Sequence, residues 1–257
     1  GCFIMGFVAN YPIALAPGMG LNAFFTYTVV LEMGYSWQIA LGGVFISGIF
    51  FIILSILKIR EWIINSIPQS LRYGIAAGIG LFLAFIGLKS AGIVVDNPAT
   101  LVNMGDITAL APIMAALGLF LIVAMASRGI NGAVMYSILI VTGLGILAGD
   151  IEYTGLMSTP PDVSSTFMQL DIVGATEIGM VSVIFAFLFV DLFDTSGTLI
   201  AVAQKGKLLN KDGSLPRLDK ALLADSSATI AGSMLGTSTT TSYVESAAGV
   251  SAGGRTG

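Results

Sequence analysis

The chain has 257 residues, of which 55% are hydrophobic and only 10% are charged, and its formal net charge is −4. A soluble domain is typically about a quarter charged, so the composition indicates an integral membrane protein. The chain has no histidine and one cysteine, Cys2, which excludes an intramolecular disulfide framework, a histidine-based catalytic triad and a histidine metal site. We therefore expect no enzyme, no cofactor, no metal centre and no nucleic-acid partner.

Apolar runs of about 20 residues predict a helical, multi-pass protein in a lipid bilayer. In chain order, the predicted membrane segments are residues 1–9, 11–33, 37–57, 70–88, 107–126, 130–148, 177–202, 218–236 and 237–254. An amphipathic segment at 58–69 is expected at the membrane interface, and polar loops at 91–106, 150–171 and 203–217. Because both ends lie in membrane segments, we expect a fragment of a longer transporter, one transmembrane domain spanning residues 1–257.

The basic residues predict the orientation of the spans. An alternating path puts nine of the eleven on one side: Lys58, Arg60, Arg72, Arg128, Lys205, Lys207, Lys211, Arg217 and Lys220. Cytoplasmic loops carry the excess of Lys and Arg. We therefore expect this side to be cytoplasmic and the protein to lie in the plasma (cell inner) membrane.

Two of the predicted membrane segments are interrupted. Residues 11–33 contain Pro12 and the run Ala-Pro-Gly-Met-Gly at 16–20, and residues 237–254 begin with a run of Thr and Ser. Such sequences favour extended backbone followed by a helix. Irregular backbone at membrane depth is tolerated where it lines a cavity, and paired broken segments indicate the binding site of an inverted-repeat transporter.

Carboxylates inside apolar runs are the main candidates for a functional site. Asp191 and Asp194 lie three residues apart in a predicted span, and Glu245 lies among Ser, Thr and Ala. A carboxylate at the bilayer centre costs about 2.5–3.5 kcal/mol on insertion scales and therefore usually faces a protein interior or a watery cavity. A buried salt bridge is the structural alternative, but no Lys or Arg lies in the apolar part of a span.

Three long motifs closely resemble those of the AzgA-like purine permeases, the hypoxanthine/guanine/adenine branch of the nucleobase–ascorbate transporter superfamily. They are APGMGLNAFF at 16–25, FVDLFDTSGT at 189–198 and GTSTTTSYVES at 236–246. The resemblance implies an all-α polytopic fold of fourteen spans in two inverted repeats, with core and gate domains and often a homodimer. Residues 1–257 would be about spans two to ten, with short mid-membrane strands near 14–17 and 238–241.

The resemblance also implies the roles of individual residues. Substrate-binding residues would be Asn22, Asp191, Glu245, Gly20, Phe24, Thr241 and Ser242. Proton coupling or structural support would fall to Asp194, Asp225 and Thr195. Of the two acids in the span, Asp191 is the predicted substrate contact. Asn22 has a structural alternative, as a helix cap.

These residues suit a purine nucleobase, because carboxylates accept hydrogen bonds from ring N–H groups and backbone amides donate to ring N and O atoms. A buried carboxyl group also resists ionisation, which predicts import by proton symport. The alternatives are an anion transporter on the same fold, which the acids disfavour, and a divalent-cation transporter using Asp191, Asp194 and Glu245 as oxygen ligands.

Overall fold

The computed structural model describes residues 1–66, 68–130, 132–153, 155, 159, 162–211 and 213–257. The chain forms two compact units, Gly1–Ala76 with Pro161–Gly257, and Ala77–Pro160. Three described helices are long and apolar enough to cross a membrane, namely α3 (Trp37–Ile56), α6 (Leu110–Ser127) and α8 (Ile178–Lys205). They coincide with three of the predicted spans.

The first unit begins with a short helical segment and the first of the two interrupted segments. Helix α1 (Cys2–Ile4) continues as a wider π-helical turn at Met5–Ala9, and an extended stretch leads to strand β1 (Leu15–Pro17). Helix α2 (Met19–Ala23) follows and continues as a second π-helical stretch at Phe24–Glu32. Pro12 and Pro17 cannot donate a backbone hydrogen bond, which explains why the chain here is extended and not helical.

After the first broken segment, α3 begins at its N-cap Ser36, whose hydroxyl accepts a 3.3 Å hydrogen bond from the Ile39 amide. The amphipathic segment forms the short helix α4 (Ile59–Ser66), and helix α5 spans Gln69–Ser90.

The second half of this unit ends in the other broken segment. A 3₁₀ turn at Gly174–Thr176 precedes α8, and helix α9 spans Leu218–Leu235. Strand β4 (Thr240–Ser242) and the short helix α10 (Ser246–Ser251) complete the chain. Helix α9 ends at Gly236, whose φ of 95° is a left-handed conformation that favours glycine.

Helix α3 packs closely against both α8 and α9. A Cβ atom at Gly48 of α3 would lie 2.8 Å from the Ile230 side chain of α9, and one at Gly42 would lie 2.2 Å from the Asp171 carbonyl oxygen. Small residues of this kind let helix backbones approach closely in membrane proteins. The weakly apolar composition of the predicted span at 218–236 fits this packing, because many α9 side chains are buried against protein.

The Ala77–Pro160 unit contains the end of α5, a β-hairpin and two helices. Strands β2 (Val94–Asn97) and β3 (Leu101–Met104) pair antiparallel, so the predicted loop at 91–106 is wrong in this part. The Asn97 side chain accepts from the Ala99 and Thr100 amides, which stabilises the tight connection. Helix α6 packs on α7 (Ala133–Leu147) through the Ser137 hydroxyl, 2.8 Å from the Gly118 carbonyl.

Candidate functional site

The two interrupted segments meet as a short antiparallel sheet. Leu15 pairs with Ser242, Ala16 with Thr241 and Pro17 with Thr240. Backbone hydrogen bonds flank these pairs, from the Gly18 amide to the Thr239 carbonyl (3.0 Å) and from the Tyr243 amide to the Ala14 carbonyl (2.9 Å). The strands lie within one or two residues of their predicted positions.

Gly18 lies at the point where β1 turns into α2. A Cβ atom at this position would lie 2.9 Å from the methyl carbon of Thr241. Real Cβ atoms essentially never approach another heavy atom this closely. The contact between β1 and β4 therefore requires a residue without a side chain at position 18.

A buried polar network joins α8, α9 and β4. The Thr195 hydroxyl lies 3.2 Å from Asp191 Oδ1, 2.9 Å from Asp225 Oδ1 and 2.9 Å from the Thr241 hydroxyl. Thr241 is 3% exposed, and the other three residues are fully buried. Polar groups are costly to bury unless they are hydrogen-bonded, so the network fixes the position of β4 against both helices.

The two acids of α8 occupy different environments. Asp191 is fully buried in the network, whereas Asp194 is only partly buried. Residues three positions apart differ by roughly 60° around a helix. This rotation turns the Asp194 carboxylate towards the hydroxyl of Thr241 and the charges of Asp225 and Glu245. Asp194 is therefore the more open of the two acids, and the choice of Asp191 as the substrate contact stays a prediction.

Asn22 and Glu245 lie on the more open parts of the two broken segments, and both are exposed. Asn22 is inside α2, whose N-cap is Gly18, so the alternative of a helix cap is wrong. Its side-chain oxygen accepts a hydrogen bond from the Ser238 hydroxyl. This bond connects the helix after β1 to the residues that lead into β4.

Three predicted site residues remain, namely Phe24, Gly20 and Ser242. The ring of Phe24 packs edge-on against Phe187 at 5.3 Å between centroids and is partly buried, as is Gly20. Ser242 is 2% exposed, and its hydroxyl has no hydrogen-bond partner among the described residues.

Several residues near the strands had not been predicted as part of the site. Ser238 contacts Asn22, Thr229 contacts the backbone of β4, and Cys2 contacts the backbone of β1. The motif around Ser238 was noted in the sequence. For Thr229 and Cys2, the sequence offers no local signal, because their contacts depend on how the helices pack.

The comparisons with known proteins agree with this architecture. The family model described as Permease family (Xan_ur_permease) matches residues 1–257. The chain belongs to this family. The family predicted from the three motifs is thereby confirmed, and the chain is part of an integral membrane protein.

Curated relatives of this family member match it over its whole length. Adenine permease AdeP of Escherichia coli (strain K12) is 48% identical over 100% of the chain and 58% of its own length. Guanine/hypoxanthine permease PbuG of Bacillus subtilis (strain 168) is 47% identical over 100% of the chain and 59% of its own length. The chain thus spans somewhat more than half the length of these relatives.

Among solved structures, this member of the Permease family is similar to the transmembrane domain of a cyanobacterium bicarbonate transporter, BicA. The TM-score is 0.63 at 16% sequence identity, and the match covers 98% of this chain and 68% of that one. At this identity the likeness shows the fold alone, which is that of a membrane transporter domain.

Proposed function

We propose that this chain is the substrate-binding part of a secondary active transporter that imports purine nucleobases (hypoxanthine, guanine or adenine) by proton symport. The observation that carries the proposal is the grouping of Asp194, Glu245 and Thr241 beside the β1–β4 sheet. The relatives AdeP and PbuG, named for adenine and for guanine and hypoxanthine, support a purine as the substrate.

The open side of the site suits a flat base with both donors and acceptors. The carboxylates of Asp194 and Glu245 accept hydrogen bonds from ring N–H groups, and the Asn22 amide donates as well as accepts. Because Asp194 is partly open and Asp191 fully buried, we assign the substrate contact to Asp194 and a supporting role to Asp191. Phe24 would border the base as an aromatic wall.

The buried network supports proton coupling through a count of hydrogens. The Thr195 hydroxyl makes three polar contacts, to Asp191, Asp225 and Thr241. Three hydrogen bonds need three hydrogens, but the hydroxyl groups of Thr195 and Thr241 carry only two. A proton on one of the carboxyl groups supplies a further donor, so we propose that this cluster takes up the symported proton.

The hydrogen bonds around the strands support an inverted-repeat arrangement. A two-fold rotation that exchanges Ala16 with Thr241 also exchanges the bond of Gly18 with that of Tyr243. We propose that the two broken segments are equivalent elements of opposite repeats and that their strands meet near the middle of the membrane. On this proposal residues 1–257 form one incomplete transporter domain of the plasma (cell inner) membrane, in a protein that can form homodimers.

The test is uptake of radiolabelled hypoxanthine and adenine by cells lacking purine permeases and expressing the protein from its complete gene. Uptake should fall as external pH rises and when a protonophore is added. Glu245→Gln and Asp194→Asn should each reduce it strongly, whereas Glu152→Gln, at an exposed loop carboxylate, should not. Uptake that is indifferent to pH and protonophore removes proton coupling, and unchanged uptake by both site variants removes the site assignment.

The same assay distinguishes purine transport from the two alternatives, transport of a divalent cation and transport of an anion. In the described residues no group of three or more His, Cys, Asp or Glu is placed to hold a metal ion. Competition by a divalent cation or by bicarbonate, with none by unlabelled purines, would replace the proposal.

A further inference from the structure

Within the described part of the chain the β1–β4 sheet has two strands, so each strand has an outer edge whose backbone groups need partners. Along each strand of an antiparallel pair, residues whose amide and carbonyl groups face the partner strand alternate with residues whose groups face outward. The backbone bonds of Gly18 and Tyr243 fix which positions face the partner strand. Leu15 in β1 and Thr240 in β4 therefore point their amide and carbonyl groups away from the partner strand.

At each edge, one side chain forms hydrogen bonds with both the amide and the carbonyl group of one strand residue. The Thr229 hydroxyl of α9 donates to the Thr240 carbonyl (3.0 Å) and accepts from the Thr240 amide (3.3 Å). The Cys2 thiol donates to the Leu15 carbonyl and accepts from the Leu15 amide, both at 3.2 Å. Each side chain thus replaces a missing neighbouring strand with one atom that is both donor and acceptor.

These two contacts are related to each other. The rotation that exchanges Ala16 with Thr241 also exchanges Leu15 with Thr240, because each of these residues directly precedes one member of the central pair. Cys2 and Thr229 therefore play corresponding parts on the two strands, although one belongs to the first helix and the other to α9. A coincidental packing contact would not be expected to recur on the opposite edge of the sheet.

We propose that Thr229 and Cys2 are positioning residues of the purine site, each fixing the register of one strand against the helix that precedes it. The inference rests on the proposed function of the site. Thr229 has the larger effect on the ligand, because β4 carries Thr241 and leads directly to Glu245. Neither residue touches the substrate.

Substitutions of Thr229 test the hydrogen bonds of its hydroxyl group separately from the packing of its methyl group. Its methyl group packs beside Gly48, since a Cβ atom there would lie 3.3 Å from it. Thr229→Val keeps this packing and removes both hydrogen bonds, whereas Thr229→Ser does the reverse. Ser233→Ala is the matched control, because Ser233 is also buried in α9 but its hydroxyl donates to the Ile230 carbonyl of the same helix. Cys2→Ala and Cys2→Ser make the equivalent pair for β1.

We expect Thr229→Val to raise the KM for purine uptake about tenfold, and Cys2→Ala to raise it by a smaller factor, each with a smaller change in maximal rate. The Ser variants and Ser233→Ala should stay close to the unmodified protein. Equal KM values for Val and Ser at position 229 would overturn the proposal, as would unchanged KM for both Thr229→Val and Cys2→Ala.

A second measurement is independent of the substrate. Hydrogen exchange of the peptide covering residues 238–245 in the purified protein should be faster in Thr229→Val than in Thr229→Ser. Absence of purine uptake by the unmodified protein would refute the proposed function, while the exchange data would still decide whether Thr229 holds β4. Faster exchange with unchanged KM would overturn the positioning role and leave a structural contact.

Discussion

The hydroxyl groups of Thr195 and Thr241 lie 2.9 Å apart, and this contact joins the middle of α8 to β4. Thr195 also contacts Asp191 and Asp225. One threonine therefore connects two helices and a strand in the interior of the first unit.

Replacing Thr195 by Val should destabilise the protein, because the shape is kept while two buried carboxyl groups lose a hydrogen-bond partner. We expect a loss of about 1–3 kcal/mol in the free energy of unfolding and a clear loss of purine uptake. Thermal unfolding in detergent measures the first effect. Thr195→Ser keeps the hydroxyl and is the control, and equal destabilisation by both variants would contradict the role of the hydroxyl.

Asparagine at position 194 and at position 191 should produce different defects. Asp194→Asn should raise the KM for purine at least about tenfold, since hydrogen bonds to charged groups contribute about 1.5–3 kcal/mol. Asp191→Asn should mainly lower the yield and thermal stability of the protein, because it alters the fully buried network. Concentration-dependent uptake, normalised to protein in the membrane, distinguishes the two, and the reverse pattern would restore Asp191 as the substrate contact.

Gly18→Ala should disrupt the junction of the two strands. The new Cβ atom would meet the Thr241 methyl carbon at 2.9 Å, and overpacking of this kind typically costs about 1–3 kcal/mol. We expect lower thermal stability and little uptake. Gly143→Ala in α7 is the matched control, because a Cβ atom there would meet no atom of the described residues within 4 Å outside its own helical turn. Similar losses in both variants would argue against a specific contact.

Outside the predicted spans, the pKa of Asp106 is lowered by hydrogen bonds from the Thr108 hydroxyl and then from its backbone amide. A lowered pKa in the folded state contributes stability above the usual carboxyl range, and this contribution is lost as the pH falls through the folded pKa. Thr108→Ala should therefore raise the pKa of Asp106, as measured by NMR titration of labelled aspartate. Asp162, which Ser164 holds in the same way, should not change.

The sequence was most informative where the physical signal is local. Long apolar runs predicted α3, α6 and α8 to within a few residues, and the Pro, Gly and Thr runs predicted where the chain becomes extended. The hairpin of β2 and β3 was missed because its polar residues and short apolar pairs are also typical of a loop.

Other features depend on contacts between distant elements. The different environments of Asp191 and Asp194 follow from the rotation of α8 relative to α9 and β4, which periodicity alone does not determine. The contacts of Thr229 and Cys2 are similarly invisible in sequence, since any helix of this composition contains hydroxyl groups that bond to their own backbone.

The pairing of β1 with β4 has a consequence for biosynthesis. The Tyr243 hydroxyl binds the carbonyl of Pro17, 226 residues earlier in the chain. During synthesis β1 therefore has no partner strand until the intervening helices have been made. Unpaired strand edges favour wrong association. Folding of the site is therefore a late event, which follows synthesis of almost the whole described chain.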